Sequence, residues 1–208
     1  MNARAMRKTI ARPLLLALSA SLALSACKAK PAYDEAPLAG ARIGGDFTLQ
    51  DKTGKPVRWS DFKGKWRMVY FGYTFCPDAC PLDMGIAMQG YARFAKAEPD
   101  LAQDVQPIFI SVDPARDTPA RVGEFAAAFS PKLIGLTGSP DEIARVTKEF
   151  AVFYGRGKDL PGGGYIVDHS RGVLLFDRGG KPITVLPVDK GPKDGPDAVA
   201  AEMEKWIR

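Results

Sequence analysis

Two cysteines lie four positions apart in Tyr73-Thr74-Phe75-Cys76-Pro77-Asp78-Ala79-Cys80-Pro81, and the 208-residue chain holds a single histidine, His169. Paired thiols at the entrance of a helix, where N–H groups and the helix dipole favour anions, are depressed in pKa. Such thiolates attack disulfides or bind a soft metal, and the pair by itself leaves both chemistries open. His169 shifts the balance. A lone histidine is more often a packed or solvated residue than a ligand, but this one follows a strand read as part of the same sheet. It stands at a turn where that strand end and the cysteine-bearing strand end can converge. Two thiolates plus one imidazole suit Cu(I) or Cu(II), whereas structural zinc calls for a fourth protein ligand. The only other sulfur or imidazole donor of these types is Cys27. Asp168, or another acceptor, is expected to fix the imidazole tautomer.

The elements that must position these residues alternate. Met68 to Tyr73 is a continuous apolar run, as expected for a central strand covered on both faces. Leu82, Ile86, Gly90 and Phe94 step by four, with Met84, Met88, Tyr91 and Ala95 as a second stripe, and predict a mostly buried helix ending before Pro99. Val105 to Val112 is the next strand. Thr118-Pro119 caps a helix from Ala120 to Phe129, and Leu133 to Leu136 is a short strand. Ser139-Pro140-Asp141-Glu142 is a capping box for a helix running to about Phe153. Tyr165 to Val167 leads into Asp168-His169-Ser170. Val173 to Phe176 and Ile183 to Leu186 flank a hairpin loop, and Phe47 to Leu49 pairs with the Val57 region across Asp51 to Lys55. After the Pro- and Gly-rich stretch Pro187 to Pro196 comes a last amphipathic helix carrying Val199, Met203, Trp206 and Ile207. The pattern predicts a three-layer α/β domain with a mixed sheet and an added hairpin.

The chain begins differently. Arg4, Arg7, Lys8 and Arg12 precede a short apolar run, Leu14 to Ala26, too short to span a bilayer comfortably. Leu24-Ser25-Ala26-Cys27 resembles the lipobox of bacterial lipoproteins, in which the cysteine sulfur receives a diacylglyceryl group. The expected division is residues 1–26 as a lipoprotein signal peptide, 27–45 as a lipidated N-terminus and flexible tether, and 46–208 as the folded domain. Multiple acyl chains give durable attachment where a single chain does not. The formal charge of +5 resides mostly in the leader, so the basic pI says nothing of nucleic acid, and none is expected as a partner. With Cys27 acylated, Cys76 and Cys80 are the remaining thiols. A purely structural disulfide closing so short a loop would be a poor stabiliser.

Three segments carry a family resemblance: Phe71 to Pro81, then Ser111-Val112-Asp113-Pro114-Ala115-Arg116-Asp117-Thr118-Pro119, then Val167-Asp168-His169-Ser170. Together they resemble the signatures of the Sco (SenC) family, in order and with fitting spacing from about Ile43 to Trp206. Ala79 stands where a valine is frequent. The resemblance implies a thioredoxin-like fold and copper held by Cys76, Cys80 and His169. It implies delivery of that copper to the dinuclear CuA centre of cytochrome c oxidase subunit II, with other periplasmic copper carriers as further partners. The expected location is the bacterial cell envelope, lipid-anchored with the domain facing the periplasm. An oxidase partner demands the inner membrane, although Lys28 is not the aspartate associated with retention there. The alternative from the enzyme class is a thiol–disulfide reductase acting on the cysteines of that subunit, with Cys76 and Cys80 catalytic. A peroxidase is a third possibility, because the front half also resembles peroxiredoxin relatives.

Other candidates read as structural. Met84 and Met88 are core filler, and Gly162-Gly163-Gly164 lacks the Lys-Ser/Thr and helix of a phosphate loop. Asp113, Arg116 and Asp117 are expected to order the turn into the following helix.

Overall fold

Strand β3 (Trp66–Gly72) buries every residue, which follows from its apolar run and places it at the centre of the sheet. A computed structural model describes residues 30–208; the leader and Cys27 lie outside the described residues. Counting from the N-terminus, β1 (Thr48–Gln50) and β2 (Pro56–Arg58) form the expected hairpin. On one side of β3 runs β4 (Val105–Ser111), parallel, and beyond it β5 (Ile134–Leu136), also parallel. On the other side the antiparallel hairpin of β8 (Val173–Phe176) and β9 (Pro182–Leu186) completes the order β5-β4-β3-β8-β9.

Helices cover both faces. Helix α1 (Ala79–Ala97) packs on α5 (Gly191–Trp206). Their axes approach closely because Gly90 and Gly195 leave room: a Cβ at Gly90 would lie 2.4 Å from Val199, and one at Gly195 2.6 Å from Ile86. Between α1 and β4 runs the short α2 (Pro99–Gln103), and α3 (Pro119–Ala127) packs on β5. The opposite face, where Phe71 points, is filled by Phe150 after α4 (Pro140–Glu149), together with Trp59 and Phe176. Thr118 and Ser139 cap α3 and α4 as their hydroxyls predict. The three-layer, thioredoxin-like α/β architecture with a mixed sheet is the one expected.

Three expectations need correction. His169 is not on a strand of the central sheet. It ends β7 (Tyr165–His169), which pairs only with β6 (Tyr154–Asp159) in a separate two-stranded ribbon, Tyr154 opposite His169. Glycines and charges in Tyr154-Gly155-Arg156-Gly157-Lys158-Asp159 hide that partner strand from an apolar-pattern reading. Second, residues 30–45 are not a free tether. Leu38 N–H donates to the Ile183 carbonyl (2.9 Å) and Gly44 N–H to the Glu149 carbonyl (2.8 Å), while Tyr33 packs on Trp66 and Ala36 is buried. Arg208 crosses back to the Pro31 carbonyl (2.7 Å). Backbone hydrogen bonds dock this Ala-, Pro- and Gly-rich segment, so its low hydrophobicity misleads. Third, α5 starts at Gly191 with Pro192 in its first turn and tolerates Pro196 within it.

Candidate metal centre

The site grows out of the carboxyl end of β3. Gly72 ends the strand, and a Cβ there would lie 2.7 Å from Tyr70 Cε1 and 3.1 Å from Cys80 Sγ. The missing side chain is what lets the Cys80 sulfur sit against the strand. The loop that follows is held from the side. Asp117 Oδ2 accepts from Thr74 N–H (2.9 Å) and Ser111 Oγ–H (2.6 Å), and Asp117 Oδ1 accepts from the Thr74 hydroxyl (2.6 Å). Asp113 binds Arg116 and accepts from the Tyr165 hydroxyl (2.8 Å), tying the β4–α3 turn to the ribbon. The turn-ordering role expected for these three residues is therefore present, and it reaches the cysteine loop as well.

Helix α1 opens at Ala79, so Cys80 lies in its first turn while Cys76 remains in the preceding loop. The Cys80 N–H points at Cys76 Sγ (3.3 Å). Both cysteines are free thiols, Cys76 half-buried and Cys80 fully buried. Their acidities diverge. The hydrogen bond from Cys80 stabilises the Cys76 thiolate most, with further help from the Cys80 and Asp78 N–H groups, and its pKa falls to about 3. The same thiolate, followed by burial, pushes the Cys80 thiol up.

His169 arrives from the far end of the sequence, 89 residues on, with Nε2 3.2 Å from Cys80 Sγ. Its Nδ1 lies 2.9 Å from the Ser170 carbonyl. A carbonyl only accepts, so Nδ1 carries the hydrogen and the Nε2 lone pair faces the sulfurs. The tautomer-fixing acceptor is thus Ser170 and not Asp168, which is exposed. Tyr70 and Tyr73 hold the imidazole edge-to-face, with ring centroids at 6.1 and 5.9 Å. All three candidate donors on described residues therefore meet.

One feature escaped the sequence reading. Asp83 is 0% exposed, on the buried side of α1, and meets Arg171 in a two-pronged ion pair (2.9 and 2.6 Å) and the Tyr70 hydroxyl (3.0 Å). Its signal was an acidic residue set inside an otherwise apolar stripe, since a buried carboxylate demands a cation.

Chemically, two sulfurs and an imidazole nitrogen offer a three-donor set for a soft ion. Among the described residues no three donors form a closed cage already. Cys80 is the protonated thiol of the pair, and its proton would have to leave for a metal to load. Equally, an accessible thiolate in front of a buried thiol is the order needed for disulfide exchange.

The sequence profile of the SCO1/SenC family matches residues 35–208. The chain belongs to the SCO1/SenC family. The "Protein SCO2 homolog, mitochondrial" of Mus musculus is 43% identical over 136 residues, 65% of this chain and 52% of its own. The chain thus spans about half the length of that relative. An "SCO2-like protein" of Rickettsia felis is 38% identical over 169 residues, covering 77% of this chain and 80% of its own. Among solved SCO1/SenC structures, Arabidopsis thaliana ScoI with copper bound matches with a TM-score of 0.70 at 36% identity, over 78% of this chain and 96% of that one. The SCO1/SenC match takes in Cys76, Cys80 and His169, and also most of the docked N-terminal segment.

Proposed function

We propose that this domain carries copper on Cys76, Cys80 and His169 and delivers it to the CuA centre of cytochrome c oxidase subunit II. The observation that carries this reading is the approach of His169 Nε2 to within 3.2 Å of Cys80 Sγ, which thiol exchange alone does not require. The copper-bound state of the Arabidopsis relative supports it. Delivery proceeds by ligand exchange: donors of the acceptor replace these three while Cys80 regains its proton. The surroundings suit a protein acceptor. Among the described residues, the exposed large apolar side chains are Phe75, Leu82, Phe153 and Val185. Phe75 adjoins Cys76, Leu82 follows Cys80 by two positions, Phe153 is hydrogen-bonded to Ser170, and Val185 lies against Gly172. An apolar rim with Arg116 and Arg121 over Phe75 has the composition of an interface.

The anchor belongs to the same proposal: acylated Cys27 tethers the domain to the inner membrane, facing the periplasm. No helix among the described residues is long and apolar enough to cross a membrane.

Titration of the reduced protein with Cu(II) tests the site. Intense sulfur-to-copper absorption is expected, and His169→Ala must weaken binding and alter the spectrum; an unchanged spectrum and affinity refute the three-donor site. A second reading, thiol–disulfide reduction of the subunit's cysteines, is favoured by the split acidity of the two thiols. There the Cys76 thiolate bonds to one sulfur of the target disulfide and releases the other as a thiol. Cys80, giving up its proton, then attacks Cys76 in that mixed disulfide and displaces the bound target sulfur, so that the pair ends as a disulfide while the target gains two thiols. That activity requires both cysteines and survives His169→Ala.

A further inference from the structure

The ribbon that carries His169 shares no strand pairing with the central sheet, yet the imidazole must stay in register with a sulfur on α1. The chain leaves His169 through Ser170, Arg171 and Gly172 before entering β8. Gly172 has φ of 135°, a backbone conformation with little intrinsic stiffness when the residue is glycine. Something other than sheet pairing must fix this corner.

Arg171 supplies the link. Two positions after His169, its Nε and Nη2 reach both oxygens of Asp83 at 2.9 and 2.6 Å, and Asp83 stands three positions after Cys80 on α1. The guanidinium fork matches the carboxylate, which makes the contact directional as well as attractive. Tyr70 adds a third hydrogen bond to Asp83, at 3.0 Å, and the same ring holds the His169 imidazole edge-to-face. Cys80, Asp83, Arg171 and His169 thus form a closed circuit, bonded through the chain on two sides and by the ion pair and the 3.2 Å sulfur–nitrogen contact on the other two. The carboxylate is 0% exposed while the Arg171 side chain is 51% exposed. The buried charge therefore acts as a socket on α1 into which the histidine loop plugs.

We propose that Asp83 and Arg171 are positioning residues for His169: their ion pair sets the imidazole against the Cys80 sulfur and thereby governs the nitrogen share of metal binding. The copper arm of the test rests on the proposed function, whereas the structural arm does not.

The protein has one histidine, so the reduced full chain in detergent micelles, labelled with ¹³C-histidine, gives one imidazole resonance to follow. In the native protein that resonance shows Overhauser contacts to the Tyr70 and Tyr73 rings. Asp83→Asn keeps the side-chain shape and leaves a half-exposed guanidinium to water. It serves as the second variant where Arg171→Ala, which strands a buried carboxylate, fails to fold. In the folded variants the Tyr70 contact is lost and the imidazole line broadens, while Arg171→Lys, charged but without the fork, restores part of it. Cu(II) affinity falls about tenfold or more in Asp83→Asn, the range for groups that orient metal ligands. Added to His169→Ala, the same change costs less than about twofold, because the group it positions is gone. Unaltered Overhauser contacts in folded Asp83→Asn, or a full additional loss of affinity in the His169→Ala background, overturn the proposal. A native protein that binds no copper defeats the copper reading alone, and the imidazole contacts then decide this one.

Discussion

Alkylation of the two thiols across pH puts a number on the asymmetry at the helix entrance. Cys76 has a pKa lowered to about 3, against about 8.5 for a free cysteine. At pH 5 an unperturbed thiol is ionised to roughly 1 part in 3,000, whereas Cys76 is thiolate throughout. Thiolate nucleophilicity falls with basicity, with a Brønsted slope of about 0.4–0.5, so a pKa gap of about 5.5 costs roughly 300-fold in intrinsic reactivity. The two effects leave Cys76 about tenfold faster than a reference peptide with iodoacetamide at pH 5. At pH 8.5, where half of the reference is ionised, Cys76 is slower by roughly a hundredfold. The rate profile of Cys76 is therefore flat from about pH 5 to 8.5, and crosses that of the peptide. Mass spectrometry of the reduced protein after timed quenching reads both sulfurs, and the buried Cys80 stays unmodified throughout. Cys80→Ala removes the largest support of the thiolate and moves the Cys76 profile upward in pH. A Cys76 rate that climbs with a midpoint near 8.5, or equal labelling of both cysteines, refutes the account of how the loop sets acidity.

Asp117→Ala leaves the Thr74 N–H and the Thr74 and Ser111 hydroxyls without their acceptor; a loss of about 3 kcal/mol is expected, seen in denaturant unfolding, and a change under 0.5 kcal/mol would contradict it. Gly72→Ala drives a methyl to 2.7 Å from Tyr70 and 3.1 Å from Cys80 Sγ, which is expected to cost about 1–3 kcal/mol and to weaken Cu(II) binding more than it weakens the fold; native affinity would contradict the packing argument. Deleting residues 28–45 uncovers Trp66 and frees Ile183 O, and is expected to lower the melting temperature by several degrees, whereas an unchanged transition would mean that this segment contributes nothing. The raised Cys80 pKa favours the folded apo form most below the unfolded value of about 8.5; as pH rises above that value toward the higher folded-state pKa, stability falls, and thermal melts of Cys80→Ala against the native protein isolate the effect as a smaller alkaline loss in the variant.

Much of the frame was legible because each element is signalled by its own residues. The run Met68 to Tyr73, the caps at Thr118 and Ser139 and the stripe from Met84 to Phe94 each specify their element locally, and the loop-to-helix placement of the cysteines follows from Pro81 in the first turn. Strand β6 was not legible, because Gly155, Gly157 and Lys158 are chosen for a two-stranded ribbon that has little core to cover. Residues 30–45 looked unstructured because they are docked by backbone hydrogen bonds and by Tyr33, which apolar content does not register. Of the site, the donors could be named but not their supports. Asp83 and Arg171 lie 88 positions apart, and only the folded chain makes a half-exposed arginine the partner of a buried carboxylate. Asp117 could be read as a turn residue, yet its grip on Thr74 depends on two loops meeting.

The proposed copper site requires one imidazole and two sulfurs to share an ion. X-ray absorption at the copper edge of the Cu(I)-loaded protein measures this directly. Scattering from two sulfurs and one nitrogen is expected, with the nitrogen shell lost in His169→Ala while both sulfurs remain. A copper environment of sulfur alone in the native protein, or one unchanged by that substitution, would contradict it.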